Sequence, residues 1–190
     1  MGTVQVRRWT REEYDRMVEA GVFAPGERVE LIDGEVLAVT PQGSEHTTAV
    51  LLIEEALRAA FAGGYSVRVQ MPLALDPSSE PEPDVAVVRG SPRDYRDAHP
   101  ASALLVVEVA DTTLAYDREQ KGSLYARAGV AEYWVVNLLA GRVEVYRDPA
   151  PQPQARYGWA YRNVQYHTAG DRLTPLAAPR AIVPVADILP

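Results

Sequence analysis

Cysteine is absent from the 190-residue chain. Disulfide frameworks, thiolate metal sites and cysteine nucleophiles are therefore excluded. Histidine is scarce: His46, His99 and His167 are widely spaced, which argues against a histidine-built zinc site. No apolar run approaches the roughly 18 residues of a membrane span. Residues 1–10 carry Arg7 and Arg8 but no apolar signal-peptide core, so a cytoplasmic protein is expected. A Gly-rich phosphate loop, a Gly-x-Ser-x-Gly elbow and a His-Glu-x-x-His motif are all missing. Positive charge is also in deficit. With 19 basic and 26 acidic residues the net charge is −7, unlike a polycation that coats nucleic acid. The most telling shortage is lysine. The 19 basic residues are 18 arginines and one lysine, Lys121. An ammonium is a compact donor with a tunable pKa, which a guanidinium is not. A lone lysine in an arginine background is thus a candidate for chemistry.

What is present describes a globular protein. Hydrophobic residues make up 47% and charged residues 24%, which excludes general disorder. The length fits a single domain spanning residues 1–190. Thr10 and Glu13 form a capping box for a helix ending at Gly21. Asp33-Gly34 between two apolar runs predicts a hairpin, and a helical period runs from Ser44 to Phe61. Strands are expected over Tyr65–Leu75, Val85–Val88, Ala103–Ala110, Glu132–Asn137 and Arg142–Tyr146, with a helix over Asp117–Arg127. Asp148–Gln154 carries three prolines and reads as a flexible loop, extending to about residue 156. Short strands follow at Trp159–Tyr161, Val164–His167 and Ile182–Val185. This order predicts an α/β (α+β) fold with a central mixed sheet flanked by helices, an N-terminal hairpin and C-terminal strands.

The candidate chemistry is acidic. Asp84 opens one strand, and Glu108 lies inside the apolar run Leu104–Ala110. A carboxylate in such a run must be paired or hold a metal. Adjacent strands lie about 4.8 Å apart, so two such carboxylates can share one ion. Hard oxygen donors select Mg²⁺, Mn²⁺ or Ca²⁺. Asp117, Lys121 and Tyr125 follow at i, i+4 and i+8 on one helix face. Lys121 can reach back from there towards the strand ends. The competing reading is an ordinary surface Asp–Lys pair. Tyr133 and Trp134 read as core or interface aromatics, and Arg89, Arg93 and Arg96 as a solvated basic loop.

Pro83-Asp84, Glu108 in an apolar strand and a following lysine resemble the PD-(D/E)XK nuclease superfamily. A narrower resemblance runs over roughly residues 10–150. It is carried by Val107-Glu108-Val109-Ala110-Asp111, Tyr116-Asp117-Arg118, Lys121, Tyr125-Ala126-Arg127-Ala128-Gly129-Val130 and Glu132-Tyr133-Trp134. Glu30-Leu31-Ile32-Asp33-Gly34-Glu35 and His46 complete it. Together these look like the Uma-two family, restriction-endonuclease-like proteins found mostly in bacteria. One departure from the superfamily pattern is Ala110, which stands where a lysine is expected two residues after Glu108. In this family the lysine moves to the next helix, as Lys121.

The resemblance implies a restriction-endonuclease-like core and a divalent-metal-dependent endonuclease acting on DNA. Asp84, Glu108 and the Val109 carbonyl would hold Mg²⁺ or Mn²⁺, with Asp84, Glu108, Lys121 and Glu30 as catalytic residues. His46, Asp117 and Tyr125 would be accessory, Asp117 by orienting Lys121. A homodimer is expected, because a duplex has two strands and two-fold dimers are the commonest oligomers. The alternative is a non-catalytic nucleic-acid-binding or protein-interaction module on the same fold.

Overall fold

The computed structural model describes residues 5–39 and 41–190. Helix α1 (Arg11–Glu19) starts at the expected box: Thr10 Oγ1 accepts from the Glu13 amide, and Glu13 accepts from the Thr10 amide. Strands β1 (Val29–Ile32) and β2 (Glu35–Ala38) form the expected hairpin. Asp33 and Gly34 turn it with φ of +48° and +81°. Gly34 is required there, since an added Cβ would lie 2.6 Å from the Arg8 Cβ.

Helix α2 (Ser44–Ala60) packs Ala49, Val50, Ile53 and Leu57 against one face of the main sheet. That sheet contains β3 (Tyr65–Val69), β4 (Val85–Arg89), β5 (Leu105–Ala110), β6 (Glu132–Asn137), β7 (Arg142–Pro151) and β8 (Trp159–Thr168). They lie side by side in chain order. Only β5 and β6 are parallel, so only they need a helical crossover. The crossover comprises α3 (Leu114–Tyr116), a π-helical turn (Asp117–Lys121) and α4 (Gly122–Arg127). Two short strands, β9 (Arg172–Leu173) and β10 (Val183–Pro184), pair near the C-terminus. Val185 and Ile188 beyond them join the α2-side core.

Side-chain alternation along β5 decides where the acids point. Leu105, Val107 and Val109 join the α2-side core, whereas Val106 and Ala110 join a second core with Tyr125, Tyr133 and Tyr161. Glu108 shares the parity of Val106 and Ala110. It therefore faces the crossover rather than α2.

Three expected elements differ from those observed. The strand beginning at Tyr65 stops at Val69, because Gln70 takes a left-handed φ of +49°. The two strands expected within residues 159–167 are one continuous β8. The Pro-rich stretch expected as a loop is ladder as far as Pro151, with Pro149 opposite Tyr161 and Pro151 opposite Trp159. The reason is positional. β6 pairs with β7 only as far as Arg147, so beyond it β7 has an open edge. Prolines at alternate positions direct their missing N–H groups to that edge, where nothing requires them.

Glu144 on β7 ties the sheet to the crossover. Its buried carboxylate accepts from Arg118 in the π turn and from Asn137, Arg142 and Tyr146. Burial alone would raise the carboxyl's pKa. The donors outweigh burial and hold it down at about 2, from an ordinary 4.5. A depressed carboxyl stabilises the fold fully above about pH 4.5, and that contribution fades as pH falls towards 2. Glu144→Gln should be less stable than wild type at pH 6 and lose less on acidification to pH 3. Urea denaturation at both values reads this, and equal losses in the two proteins would contradict it.

Candidate active site

Three segments meet over the strand ends. β4 is preceded by Asp84, β5 presents Glu108, and the π turn presents Lys121. Asp117 and Lys121, four residues apart, are both buried on the inner side of the π turn. Lys121 Nζ donates to Glu108 Oε1 at 3.0 Å and lies 3.6 Å from Glu30 Oε2. The Tyr125 hydroxyl donates to the same Glu108 oxygen at 2.7 Å. The other Glu108 oxygen accepts from the Asp84 amide at 3.3 Å. In return, Asp84 Oδ2 accepts from the Val109 amide at 2.8 Å and faces His46 Nε2 at 3.2 Å. The two acids are thus cross-linked through each other's backbone.

Asp84 Oδ1 accepts amide N–H groups from Gln42 at 3.2 Å and Gln70 at 3.4 Å. Glu30, on β1 of the hairpin, is held by the Glu82 amide at 3.2 Å. Asp117 accepts from Thr113 at 2.6 Å. Apart from Gln70 and Tyr125, these side chains border a cavity of about 380 Å³ that also meets Val109, Tyr116, Glu82 and Arg28.

The electrostatics follow from crowding. Glu30, Asp84, Glu108 and Asp117 are all buried, and Lys121 is the one buried ammonium facing them. Desolvation and the surplus of carboxylates push the Glu108 carboxyl up, to about 8, despite Lys121 beside it. Asp117 rises for the same reasons, to about 6. Burial works against the Lys121 charge, but the surrounding carboxylates outweigh it and hold the ammonium protonated well above its ordinary range. Burial likewise opposes a charged His46, and the adjacent Asp84 outweighs it, so the imidazole is raised. Asp84 is lowered against its own burial by His46 and the Val109 amide.

All seven side chains singled out from the sequence, Glu30, His46, Asp84, Glu108, Asp117, Lys121 and Tyr125, therefore fall within one cluster. Tyr125 is the one that lies behind the cavity wall. Tyr133 and Trp134 are fully buried core residues. The Arg89–Arg96 loop lies at the far end of β4 from Asp84 and does not border the cavity. Sequence reasoning quoted Tyr116 only as a motif residue and missed Gln42, Gln70, Glu82 and Thr113. Glu82 sits two residues before Asp84 and could have been found from that proximity. Nothing in the sequence marks Gln70.

A six-stranded mixed sheet with paired acids and a lysine at its strand ends is the architecture of restriction-endonuclease-like proteins. The family model of the Uma2 (Uma-two) proteins, described as "putative restriction endonuclease", matches residues 11–186, and the chain belongs to that family. Among solved structures, a "putative nuclease belonging to DUF820" from Anabaena variabilis superposes with a TM-score of 0.67. It is 14% identical, with 95% of this chain and 97% of that one covered, and it establishes a shared fold. No curated protein matches the chain. Among the described residues no helix is long and apolar enough to cross a membrane.

A raised carboxyl binds its proton more tightly in the folded state. Its contribution to stability is present below its ordinary value of about 4.5 and lost as pH rises through the folded value near 8. With a chelator present, wild-type stability should therefore fall between pH 5 and 8.5 more than that of Glu108→Gln. Thermal unfolding across that range reads the difference. Parallel curves would show that Glu108 is ionised throughout.

Proposed function

We propose that the chain is a divalent-metal-dependent endonuclease that hydrolyses phosphodiester bonds in DNA. The observation that carries this reading is the chain's only lysine, buried 3.0 Å from Glu108 over a cavity that Asp84 also lines. The donor set suits Mg²⁺ or Mn²⁺. Two carboxylates, Asp84 and Glu108, and the carbonyl of Val109 are hard oxygens on neighbouring strands. Carboxyls crowded beside one ammonium would favour a divalent cation, whose binding would displace the proton that Glu108 holds. Among the described residues no three His, Asp or Glu side chains converge into a ready-made cage. Mg²⁺ accepts such open sites, because it keeps several waters and uses one or two carboxylates plus substrate phosphate. The ion would lower the pKa of a water and offset charge on the scissile phosphate.

The remaining roles belong to side chains. Lys121 remains an ammonium, so it acts by charge. It orients the attacking water and stabilises the negative charge that develops on the phosphate oxygens. Glu108 holds Lys121 in place, and Tyr125 fixes the Glu108 oxygen that does so. Asp117 and Glu30 keep the ammonium protonated. His46, Gln42 and Gln70 fix the orientation of Asp84. A homodimer would bring two such centres to the two strands of a duplex. Light scattering at tens of micromolar tests this, and a monomeric mass would count against it.

The decisive experiment is a cleavage assay with Mg²⁺ on supercoiled and linear DNA. Lys121→Arg should cut about 10²–10⁴-fold more slowly, although charge is retained. A planar guanidinium cannot replace a compact ammonium between Glu108 and Glu30. Metal binding by calorimetry should survive in that variant, whereas Asp84→Asn should lose metal and cleavage together. Cleavage by Lys121→Arg at the wild-type rate would remove Lys121 from the mechanism. DNA binding by the wild type with no cleavage in any metal would favour the non-catalytic module.

A further inference from the structure

The crossover between β5 and β6 separates two cavities. Asp117 and Lys121 border the acid cavity, whereas Arg118, Glu119 and Gly122 from the same stretch border another. This second cavity, of about 410 Å³, shares no lining residue with the first. Its other wall is the β7–β8 ladder, from which Tyr146, Trp159 and Tyr161 line it.

The aromatic wall is held in place by the protein itself. The Tyr161 hydroxyl donates to the Val130 carbonyl and the Tyr146 hydroxyl to Glu144, both at 2.9 Å. Their rings meet edge-on with centres 6.0 Å apart. Trp159 is fixed through its backbone: Ser123 Oγ donates to its carbonyl at 2.7 Å and accepts from the Tyr157 amide at 2.9 Å. The Trp159 side chain is only partly buried, and among the described residues its indole N–H has no protein acceptor. The core Trp134, by contrast, donates to Glu132 at 3.1 Å. At the rim stand Glu119, Gln154 and Arg156, all exposed. Arg118 is committed to Glu144, whereas among the described residues neither Glu119 nor Arg156 has an ion-pair partner.

The free charges at the rim are one of each sign, so they select neither a bare anion nor a bare cation. An aromatic floor with a few polar groups at its mouth is the composition of a site for a small organic ligand, and the volume lies in that range. Indole and phenol faces take a flat ring. The free carboxylate of Glu119 and the free N–H groups of Arg156 and Trp159 suit a ring whose edge offers both donors and acceptors. Nucleobases combine these features. We propose that this cavity binds a nucleobase, stacked on Trp159 with Glu119 and Arg156 at its edge. Only an unstacked base enters such a space, so the strand that supplies it is single or locally opened. A helix is about 10–12 Å across, which places this base within a few nucleotides of a phosphate held at Lys121. The proposal rests on the nuclease reading for its source of bases and deepens it by naming the part of the substrate held away from the cut.

The test is binding by the full chain in chelator, read by calorimetry and by quenching of tryptophan fluorescence. No cleavage is scored, so a failure here is distinct from a failure of the nuclease reading. The probes are a short single-stranded oligonucleotide, the same strand with abasic sites in place of its bases, a nucleoside monophosphate and ribose 5-phosphate. The two probes that carry bases should bind and quench, and their counterparts of equal charge without bases should do neither. Trp159→Leu should lose the quenching and weaken binding about 5- to 100-fold, as the loss of one stacked base does. Glu119→Ala and Arg156→Ala change exposed side chains and should melt as wild type does, and each should also bind more weakly. Tighter binding of the oligonucleotide than of the monophosphate identifies a strand as the source of the base, and the reverse order identifies a free nucleotide. The proposal is overturned if abasic and intact strands bind alike, if no probe with a base quenches, or if all three variants bind as wild type does.

Discussion

The buried pair between Lys121 and Glu108 draws together the parts of this fold that are otherwise far apart in sequence. Glu108 sits at the centre of the sheet, Lys121 belongs to the crossover that closes over it, and Glu30 reaches the ammonium from the N-terminal hairpin. Such a pair is poor evidence for stability. Taking both charges out of water costs several kcal/mol per ion, and an apolar pair of similar volume would pack there at least as well. Once one charge is fixed, however, the others follow. Removing Lys121 would leave Glu30, Asp84, Glu108 and Asp117 facing one another with no buried ammonium among them. The crossover, the hairpin and the central strands therefore share a common electrostatic constraint.

Backbone geometry carries that constraint at two places where ordinary local structure is abandoned. The π turn over Asp117–Lys121 places two charged residues on the inner side of a short crossover, and Arg118 is held from outside by Glu144. Gln70 breaks β3 with a left-handed backbone, and its side chain lies against Asp84. Residues held in such conformations persist only where their surroundings over-determine them. Both irregularities occur at the acid cluster.

Charge is handled differently on the rest of the molecule. Most arginines are matched: Arg127 bridges Asp33 and Asp76, binding the hairpin turn to α4, and Arg147 holds Glu132. Arg68 is the one buried arginine among the described residues, and it has no carboxylate within ion-pair distance. A chain that places nearly every buried charge against an opposite one leaves two imbalances, a surplus of acid at the strand ends and a lone cation at the sheet edge.

Much of this was legible in the sequence because it rests on local rules. The capping box at Thr10, the Asp33-Gly34 turn and the helical period of α2 are set by neighbours within a few residues. The strands around Asp84 and Glu108 announce themselves as apolar runs, and a carboxylate inside such a run needs a partner wherever it lies. That Glu108 faces the crossover follows from strand alternation once the sheet exists. The sequence could not decide what depends on distant segments. The Pro-rich stretch became ladder because β6 ends opposite Arg147 and leaves an edge free. Gln42 reaches Asp84 from the segment ahead of α2, and Gln70 from the left-handed end of β3. Whether Arg68 has a counter-charge depends on every segment that packs around β3. Pairing, burial and the absence of a partner are properties of the assembled volume, and only the tertiary structure settles them.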